Sequence, residues 1–187
     1  MTSRFLRRNS LRLSDYDYSK EGAYFVTICV RKRESLLGSV LNGKIRLNVL
    51  GETVAKVWQW LSCQYPQVDL DEWQIMPNHL HGIVWLRDES HLGLNGIKPK
   101  PLGRLLGAFK TVSTKNVNEI RQMTGLPFWQ RNFYEHIIRD EDSLNRIREY
   151  ILTNPQRWEL DRENPKATGK DDFDSWLVGF NYQPPIS

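Results

Sequence analysis

The stretch that decides the fold is MPNHLHGIVWL, residues 76–86, in which apolar residues surround two histidines. After the Pro77-Asn78 turn signal, HLHGIVWL has the length and composition of a buried β-strand. Because alternate residues of a strand point to the same face of a sheet, His79 and His81 are expected on one face. Two imidazoles there can bind one divalent ion if a third ligand is supplied. The alternative is that they are hydrogen-bonded residues of the core.

The sequence around this stretch predicts strands and helices in a mixed order. Five stretches are rich in β-branched and aromatic residues, or alternate between apolar and polar residues, and are predicted to be strands. Three stretches have apolar residues at helical spacing and are predicted to be helices. The predicted strands are 23–31, 44–50, 68–76, 79–86 and 133–139, and the predicted helices are 50–65, 102–124 and 140–154. The order β, β, α, β, β, α, β, α, with short turns between neighbouring strands, predicts an α+β fold of ferredoxin-like type. Its antiparallel sheet would carry helices mainly on one face.

Length and composition suit one folded domain with flanking segments. The chain has 187 residues, of which 40% are hydrophobic, and a formal net charge of +4 that permits a polyanionic partner. We expect a basic N-terminal arm over 1–22, the folded domain over 23–155, and a charged, irregular C-terminal tail over 156–187.

Two further features bear on the compartment. No apolar run approaches the ~20 residues that span a bilayer, and the basic N-terminus lacks the apolar stretch of a secretory signal. Cys29 and Cys63 both lie in apolar patterns and are predicted to be buried free thiols of a reducing compartment. We therefore expect a soluble, cytoplasmic protein without a membrane partner.

A second candidate for chemistry lies in the last predicted helix. In REYILTNP, Tyr150 and Asn154 are four residues apart and so lie on one helical face, next to an apolar stripe that should face the sheet. The alternative is an amphipathic tyrosine that packs its ring, followed by an asparagine that closes the helix before proline.

The two candidates together fit one mechanism. Two imidazoles and an amide oxygen would hold a divalent ion and leave positions open for phosphate oxygens. Phenol has an unperturbed pKa near ~10, so a tyrosine needs activation to attack phosphorus at neutral pH. The ion would polarise the phosphoryl group and position the scissile bond. A covalent phosphotyrosine would conserve the bond energy, as suits breaking and rejoining strands.

The stretches that contain these candidate residues resemble the sequences of a known protein family. MPNHLHGIVWL and PFWQRNFYEHIIRDEDSLNRIREYILTNPQRW strongly resemble the single-tyrosine HUH transposases, most closely the REP-associated tyrosine transposases. His79, Leu80 and His81 match the histidine–hydrophobic–histidine motif, and Tyr150 matches the nucleophile. The third metal ligand of the family lies four residues after the tyrosine, which is Asn154 here. Together with GAYFVTICVRKRESLLG, the resemblance covers roughly residues 15 to 165.

The resemblance implies a ferredoxin-like (RRM-related) catalytic domain over 23–155, Mg²⁺ or Mn²⁺ as cofactor, and single-stranded DNA folded into hairpins as substrate. The implied activity is cleavage and rejoining of that DNA through a 5'-phosphotyrosine. Insertion-sequence members are dimers that exchange the tyrosine helix, whereas REP-associated members can act as monomers, so both a monomer and a homodimer stay open.

Several other residues are candidates for contacts to DNA or to the site. Arginines in the arm and basic or aromatic residues near the long helix favour phosphate or base contacts, although a core tryptophan is as probable at position 129. His136 is expected to orient the site rather than to bind metal. The candidate DNA-binding residues are Arg7, Arg8, Arg12, Lys110, Trp129 and Arg131.

Two alternatives remain open at the level of sequence. The sheet architecture also fits a non-catalytic nucleic-acid-binding module. A zinc hydrolase built on the histidine pair is less favoured, because no carboxylate or cysteine accompanies the histidines at a recognisable spacing.

Overall fold

The computed structural model describes residues 17–87 and 100–180, with side chains as far as Leu177. The strands in this part of the chain are β1 (Gly22–Cys29), β2 (Gly38–Leu41), β3 (Lys44–Leu47), β4 (Val68–Ile75), β5 (His79–Leu86) and β6 (Tyr134–Ile138). The α-helices are α1 (Val49–Gln64), α2 (Leu102–Ile120), α3 (Glu141–Thr153) and α4 (Asp172–Phe180). Short 3-10 helices follow β1 at Arg31–Arg33 and α3 at Asn154–Leu160.

The centre of the fold is a four-stranded antiparallel sheet with the order β4-β5-β1-β6, and β2 and β3 form a separate hairpin. Asn42 and Gly43, both with positive φ, turn the hairpin as their residue types predict. Among the described residues, no helix is both long and apolar enough to cross a membrane.

Side-chain caps set where two of the helices begin. Asn48 accepts hydrogen bonds from the backbone N–H groups of Leu50 and Gly51, so the third strand ends and α1 begins earlier than the apolar pattern suggests. Asp140 accepts from the backbone N–H of Ser143 at the start of α3 (2.7 Å). Two acidic residues in the first turn of α3 add a favourable interaction with the helix dipole.

The sheet separates two apolar cores. Tyr24, Val26 and Ile28 of β1 face α1 and α2, whereas Ala23 and Phe25 face α3 and α4. The predicted α+β antiparallel fold is confirmed, but the helices lie on both faces rather than mainly on one. The reason is that the apolar stripe of α3 packs on the face opposite to α1 and α2, where α4 joins it.

The C-terminal segment differs most from expectation. Residues 156–187 were predicted to form an irregular tail, yet the part that the structure describes contains the end of a 3-10 helix and α4. Phe173 and Leu177 are buried in the second core, and Asp161 is 1% exposed. The segment therefore packs on the domain, because aromatic and aliphatic residues spaced through its charged sequence bury against α3.

The two cysteines are free thiols, as predicted, but only Cys29 is buried and Cys63 is exposed.

Candidate active site

The strand register brings the two histidines to the same face and the same end of the sheet. His79 lies opposite Cys29, and His81 lies opposite Thr27, in the antiparallel pairing of β1 with β5. Both imidazoles are buried, and their ring centroids are 4.3 Å apart. Each ring is held through Nδ1, that of His79 by Asn78 Oδ1 (2.8 Å) and that of His81 by Thr27 Oγ1 (2.9 Å). The Nε2 atoms are thereby aimed away from the strand.

Asp161, from the segment after the 3-10 helix, meets these two Nε2 atoms. Its Oδ2 lies 3.6 Å from Nε2 of His79 and 3.8 Å from Nε2 of His81. The three candidate ligand atoms all lie within 4.8 Å of one another. Two imidazoles and one carboxylate form a ligand set that divalent cations take in proteins.

Asn154 lies beside this cluster. Its Nδ2 donates to Asp161 Oδ2 (2.8 Å), while its Oδ1 is buried without a hydrogen-bond partner among the described residues. His79 Nε2 is likewise buried without a hydrogen-bond partner there. Leaving a buried polar atom unpaired costs about 1–3 kcal/mol, so two such atoms next to a carboxylate fit a bound cation.

The protonation states suit the same interpretation. Burial, aided by the nearby His81, lowers the pKa of His79 to about 3, so its imidazole is neutral at neutral pH and has a free lone pair. Burial alone would favour the neutral acid of Asp161, but the adjacent imidazoles and the Asn154 amide outweigh it and lower the pKa of Asp161. Since His79 is neutral, we attribute the lowered pKa of Asp161 to the amide of Asn154, which donates a hydrogen bond to Oδ2 (2.8 Å), rather than to a His79 imidazolium.

Tyr150 reaches the cluster from α3. Leu144, Ile147 and Ile151 pack this helix on the sheet, as predicted, and the Tyr150 hydroxyl lies 3.3 Å from His81 Nε2. The ring is 2% exposed and stacks on Phe173 of α4, with centroids 3.7 Å apart and an interplanar angle of 7°. Burial, with the nearby Asp161, raises the pKa of Tyr150 well above its ordinary value.

The structure thus places all four predicted site residues together, namely His79, His81, Tyr150 and Asn154. Asp161 is the site residue that the sequence pattern did not reveal. It belongs to the charged stretch ELDREN, which has no spacing relation to the histidine motif and resembles an exposed surface segment.

The structure resembles that of a REP-associated tyrosine transposase bound to a REP hairpin, with a TM-score of 0.55, 19% identity and 94% of each chain covered. This likeness shows a shared fold. No protein-family model matches the chain.

Two relatives come from Haemophilus influenzae. One, an uncharacterized protein, is 39% identical over 168 residues, which span 83% of this chain and 92% of the relative. The other is assigned to the REP-associated tyrosine transposases and is 28% identical over 148 residues, 76% of each protein. The chain is similar in sequence and in fold to REP-associated tyrosine transposases. The cluster contains both histidines of the stretch MPNHLHGIVWL, on which the resemblance in sequence rests.

The predicted DNA-binding residues of this chain have different surroundings. Lys110 is half-buried and donates to the backbone carbonyl groups of Gln130 and Arg131, so it holds the loop before β6. Trp129 is 4% exposed, and its Nε1 donates to Ser113 Oγ (2.8 Å). Its ring is therefore a core element and cannot stack on a base without repacking, which corrects the predicted base contact.

The remaining candidates stay predictions. Arg131 is exposed. Arg7, Arg8 and Arg12 lie outside the described residues. His136 is buried on β6 opposite Phe25 and is not one of the three donors of the cluster.

Proposed function

We propose that the protein is a metal-dependent single-stranded DNA endonuclease and transposase, which cleaves and rejoins hairpin-containing DNA through a covalent 5'-phosphotyrosine. The observation that carries the proposal is the distance of 3.3 Å between the Tyr150 hydroxyl and His81 Nε2, at a cluster whose donors suit a divalent cation. A nucleophile and a phosphate-activating centre are thus adjacent, which is the arrangement that phosphoryl transfer requires.

The chemical step is a transesterification. The Tyr150 oxygen forms a bond to the phosphorus of the scissile phosphate as the bond from phosphorus to the 3'-oxygen breaks. The phenol loses its proton and the released strand ends in a 3'-hydroxyl, so charge and atoms balance. The reverse reaction, with a 3'-hydroxyl as nucleophile and Tyr150 as leaving group, rejoins a strand.

Four side chains would hold the cation, which we expect to be Mg²⁺ or Mn²⁺. His79 and His81 would donate through Nε2, Asp161 through its carboxylate, and Asn154 through the unpaired Oδ1. When bound, the ion supplies Lewis-acid polarisation of the phosphoryl oxygens. His81 Nε2 cannot at the same time bind metal and accept a hydrogen bond from Tyr150. If His81 Nε2 binds the metal, the Tyr150 hydroxyl would therefore lose this hydrogen bond and be free to attack the phosphate.

A cavity of about 760 Å³ opens beside Tyr150 and could admit a DNA strand. Its lining includes three basic side chains, Arg146, Arg157 and Lys170, and three acidic ones, Glu149, Asp171 and Asp172. Arg157 is paired with Asp171, so Arg146 and Lys170 are the basic candidates for contacts to phosphate. Lys and Arg side chains that neutralise phosphates supply most of the affinity for a DNA backbone. The hairpin carried by the solved relative supports a hairpin as the substrate of this chain too. Because one chain supplies all four cluster residues and the tyrosine, we expect a monomer to suffice.

The proposal is tested with a single-stranded hairpin oligonucleotide and Mn²⁺ or Mg²⁺. We expect Tyr150→Phe to bind the hairpin normally but to lose cleavage, because the variant lacks only the attacking oxygen. Tyr134→Phe is the matched control, because Tyr134 lies at the start of the edge strand β6, and this variant should still cleave the hairpin. Removal of divalent ions with a chelator should abolish cleavage reversibly.

A second candidate, a hairpin-binding module without catalysis, is favoured by one observation, the burial of Tyr150 beneath Phe173. Normal hairpin binding by the wild-type protein with no cleavage in any divalent metal would establish that candidate and contradict the enzyme.

A further inference from the structure

Asn78, the residue before the first histidine of the motif, occupies a fully buried position in the turn between β4 and β5. Its side-chain amide makes three hydrogen bonds. The Nδ2 group donates to the backbone carbonyl oxygen of Arg33 (3.1 Å) and to that of Glu163 (2.7 Å), and Oδ1 lies 2.8 Å from His79 Nδ1. One side chain therefore contacts three separate segments of the chain.

The direction of this amide determines which nitrogen of His79 carries the proton. Carbonyl oxygens can only accept, so the NH₂ group of Asn78 must face Arg33 and Glu163, and the amide oxygen must face His79. An amide oxygen also only accepts, so His79 Nδ1 must donate and carry the proton. The neutral ring then presents a lone pair at Nε2, the atom that is 3.6 Å from Asp161 Oδ2.

Thr27 provides a natural comparison at the other histidine. Its hydroxyl lies 2.9 Å from His81 Nδ1, and a hydroxyl can either donate or accept. Thr27 consequently leaves both neutral forms of His81 open, whereas Asn78 selects one form of His79. Both contacts are made to the Nδ1 atom of a histidine, but only the contact from Asn78 determines which ring nitrogen carries the proton.

Asn78 also connects the strand to the segment that carries Asp161. The Glu163 carbonyl that Asn78 binds belongs to a tight turn in which Asp161 Oδ1 accepts from the backbone N–H of Glu163 (2.6 Å). The Glu163 side chain is paired with Arg33 Nε at 2.9 Å, so the turn is held on both sides. The same amide thus fixes the orientation of His79 and the location of Asp161.

We propose that Asn78 is a positioning residue that assembles the cation site from its two halves. It would hold the Nε2 lone pair of His79 toward the ion and dock the turn that brings Asp161 opposite. This role rests on one part of the proposed function, namely that the cluster binds a divalent cation, and does not require that the protein cleaves DNA. Mutation of the residue that hydrogen-bonds the second ring nitrogen of a metal-binding histidine typically lowers metal affinity by about 10–100-fold.

The first test uses the wild-type protein without metal or DNA, so it does not depend on any variant folding. Long-range ¹H–¹⁵N correlation spectra, with the His79 signals assigned by their loss in His79→Gln, report which ring nitrogen is protonated. We expect the Nδ1–H form at neutral pH. A predominant Nε2–H form would overturn the proposal.

The second test is titration of Mn²⁺ in the absence of DNA. We expect Asn78→Ala to weaken Mn²⁺ binding about 10–100-fold and to give a mixture of His79 tautomers. Thr27→Val, the matched change behind His81, should leave the His79 tautomer unaltered. Wild-type affinity in a folded Asn78→Ala protein would contradict the proposal. Normal Mn²⁺ binding without DNA cleavage would instead count against the proposed enzyme and leave the role of Asn78 intact.

Discussion

At the scale of single residues, Gly82 shows how closely the histidine strand is packed. It lies between His81 and Ile83, and a Cβ added there would be 2.6 Å from Cζ2 of Trp58 and 3.3 Å from Cβ of Trp73. Trp58 is fully buried and packs edge-on against Phe109, so it cannot move aside without disturbing the first core. Glycine at this position lets β5 lie against α1.

We therefore expect Gly82→Ala to lower the free energy of unfolding by about 1–3 kcal/mol, the usual cost of overpacking a core. Gly107→Ala is the matched control, because a Cβ added to this glycine of α2 meets nothing within 4 Å. That change should raise stability by roughly 0.5–1 kcal/mol through helix propensity. Urea denaturation measures both values, and an equal effect of the two substitutions would contradict the packing account.

At the scale of elements, an ion pair between Asp71 and Arg148 joins α3 to the sheet in addition to its apolar packing. Asp71 lies in an irregular part of β4, where the pairing with β5 shifts register between Leu70 and Trp73. Its carboxylate accepts from Arg148 Nε (2.9 Å) and Nη2 (2.6 Å) and from Trp85 Nε1 (3.0 Å). Arg148 precedes Tyr150 by two residues, so this pair fixes the helix near its functional end.

We expect Asp71→Asn to cost about 1–2 kcal/mol of stability at neutral pH, since a forked, charge-assisted pair is stronger than an exposed one and solvent screens part of it. The hydrogen bond from Arg148 lowers the pKa of Asp71 to about 2 from its ordinary value of 3.8. A lowered folded-state pKa contributes stability above the unfolded pKa, and this contribution is lost as the pH falls from 3.8 toward 2. The difference in unfolding free energy between wild type and variant should therefore shrink on acidification.

Asp69→Asn is the control for this prediction. Asp69 also pairs with an arginine, Arg87, but the two side chains are 41% and 56% exposed. Exposed pairs contribute about 0–1 kcal/mol, so this change should have the smaller effect. Equal losses for the two aspartates would show that Asp71 has no special part in holding α3.

At the scale of the whole molecule, α4 covers Tyr150, the residue that DNA must reach in the proposed reaction. Phe173 stacks on the Tyr150 ring and, with Leu177, closes the second core over it. We expect Phe173→Ala to increase the rate of covalent adduct formation about 2–10-fold, since an aromatic pair contributes roughly 0.5–1.5 kcal/mol beyond its buried area. Adduct formation is measured on denaturing gels at a temperature at which circular dichroism shows both proteins folded.

Trp176→Ala is the control for the covering helix, because Trp176 contacts Phe173 while Phe173 stays on the tyrosine ring. It should change the rate less than Phe173→Ala. A folded Phe173→Ala protein that forms the adduct no faster than wild type would contradict the covering role of α4.

Much of the fold could be predicted from local patterns. Short apolar runs rich in β-branched and aromatic residues predicted the central strands, and apolar residues at helical spacing predicted α3. The alternation of His79 and His81 with Leu80 predicted that both imidazoles lie on one face of a strand. The spacing of Tyr150 and Asn154 likewise predicted that both lie on one helical face next to the sheet, and the resemblance to the transposases implied that they meet the histidines. These features depend on neighbours in sequence, which is what a periodic pattern encodes.

The missed features depend on contacts between distant segments. Asp161 and Glu163 lie in a stretch of charged residues that predicts an exposed surface, yet both are buried. Asp161 is buried because the Asn154 amide and two imidazoles surround it, and Glu163 because it pairs with Arg33. Neither set of partners can be identified from local sequence, and the same holds for the packing of α4 over Tyr150.

The central claim is that Tyr150 attacks DNA at the histidine cluster, and mapping the covalent adduct tests it most directly. Wild-type protein is incubated with a single-stranded hairpin oligonucleotide and Mn²⁺, digested with nuclease and trypsin, and analysed by mass spectrometry. We predict a nucleotide mass on the peptide EYILTNPQR, residues 149–157, which contains Tyr150. An adduct on NFYEHIIR, residues 132–139, which contains Tyr134, or cleavage of the oligonucleotide without any adduct, would contradict the account.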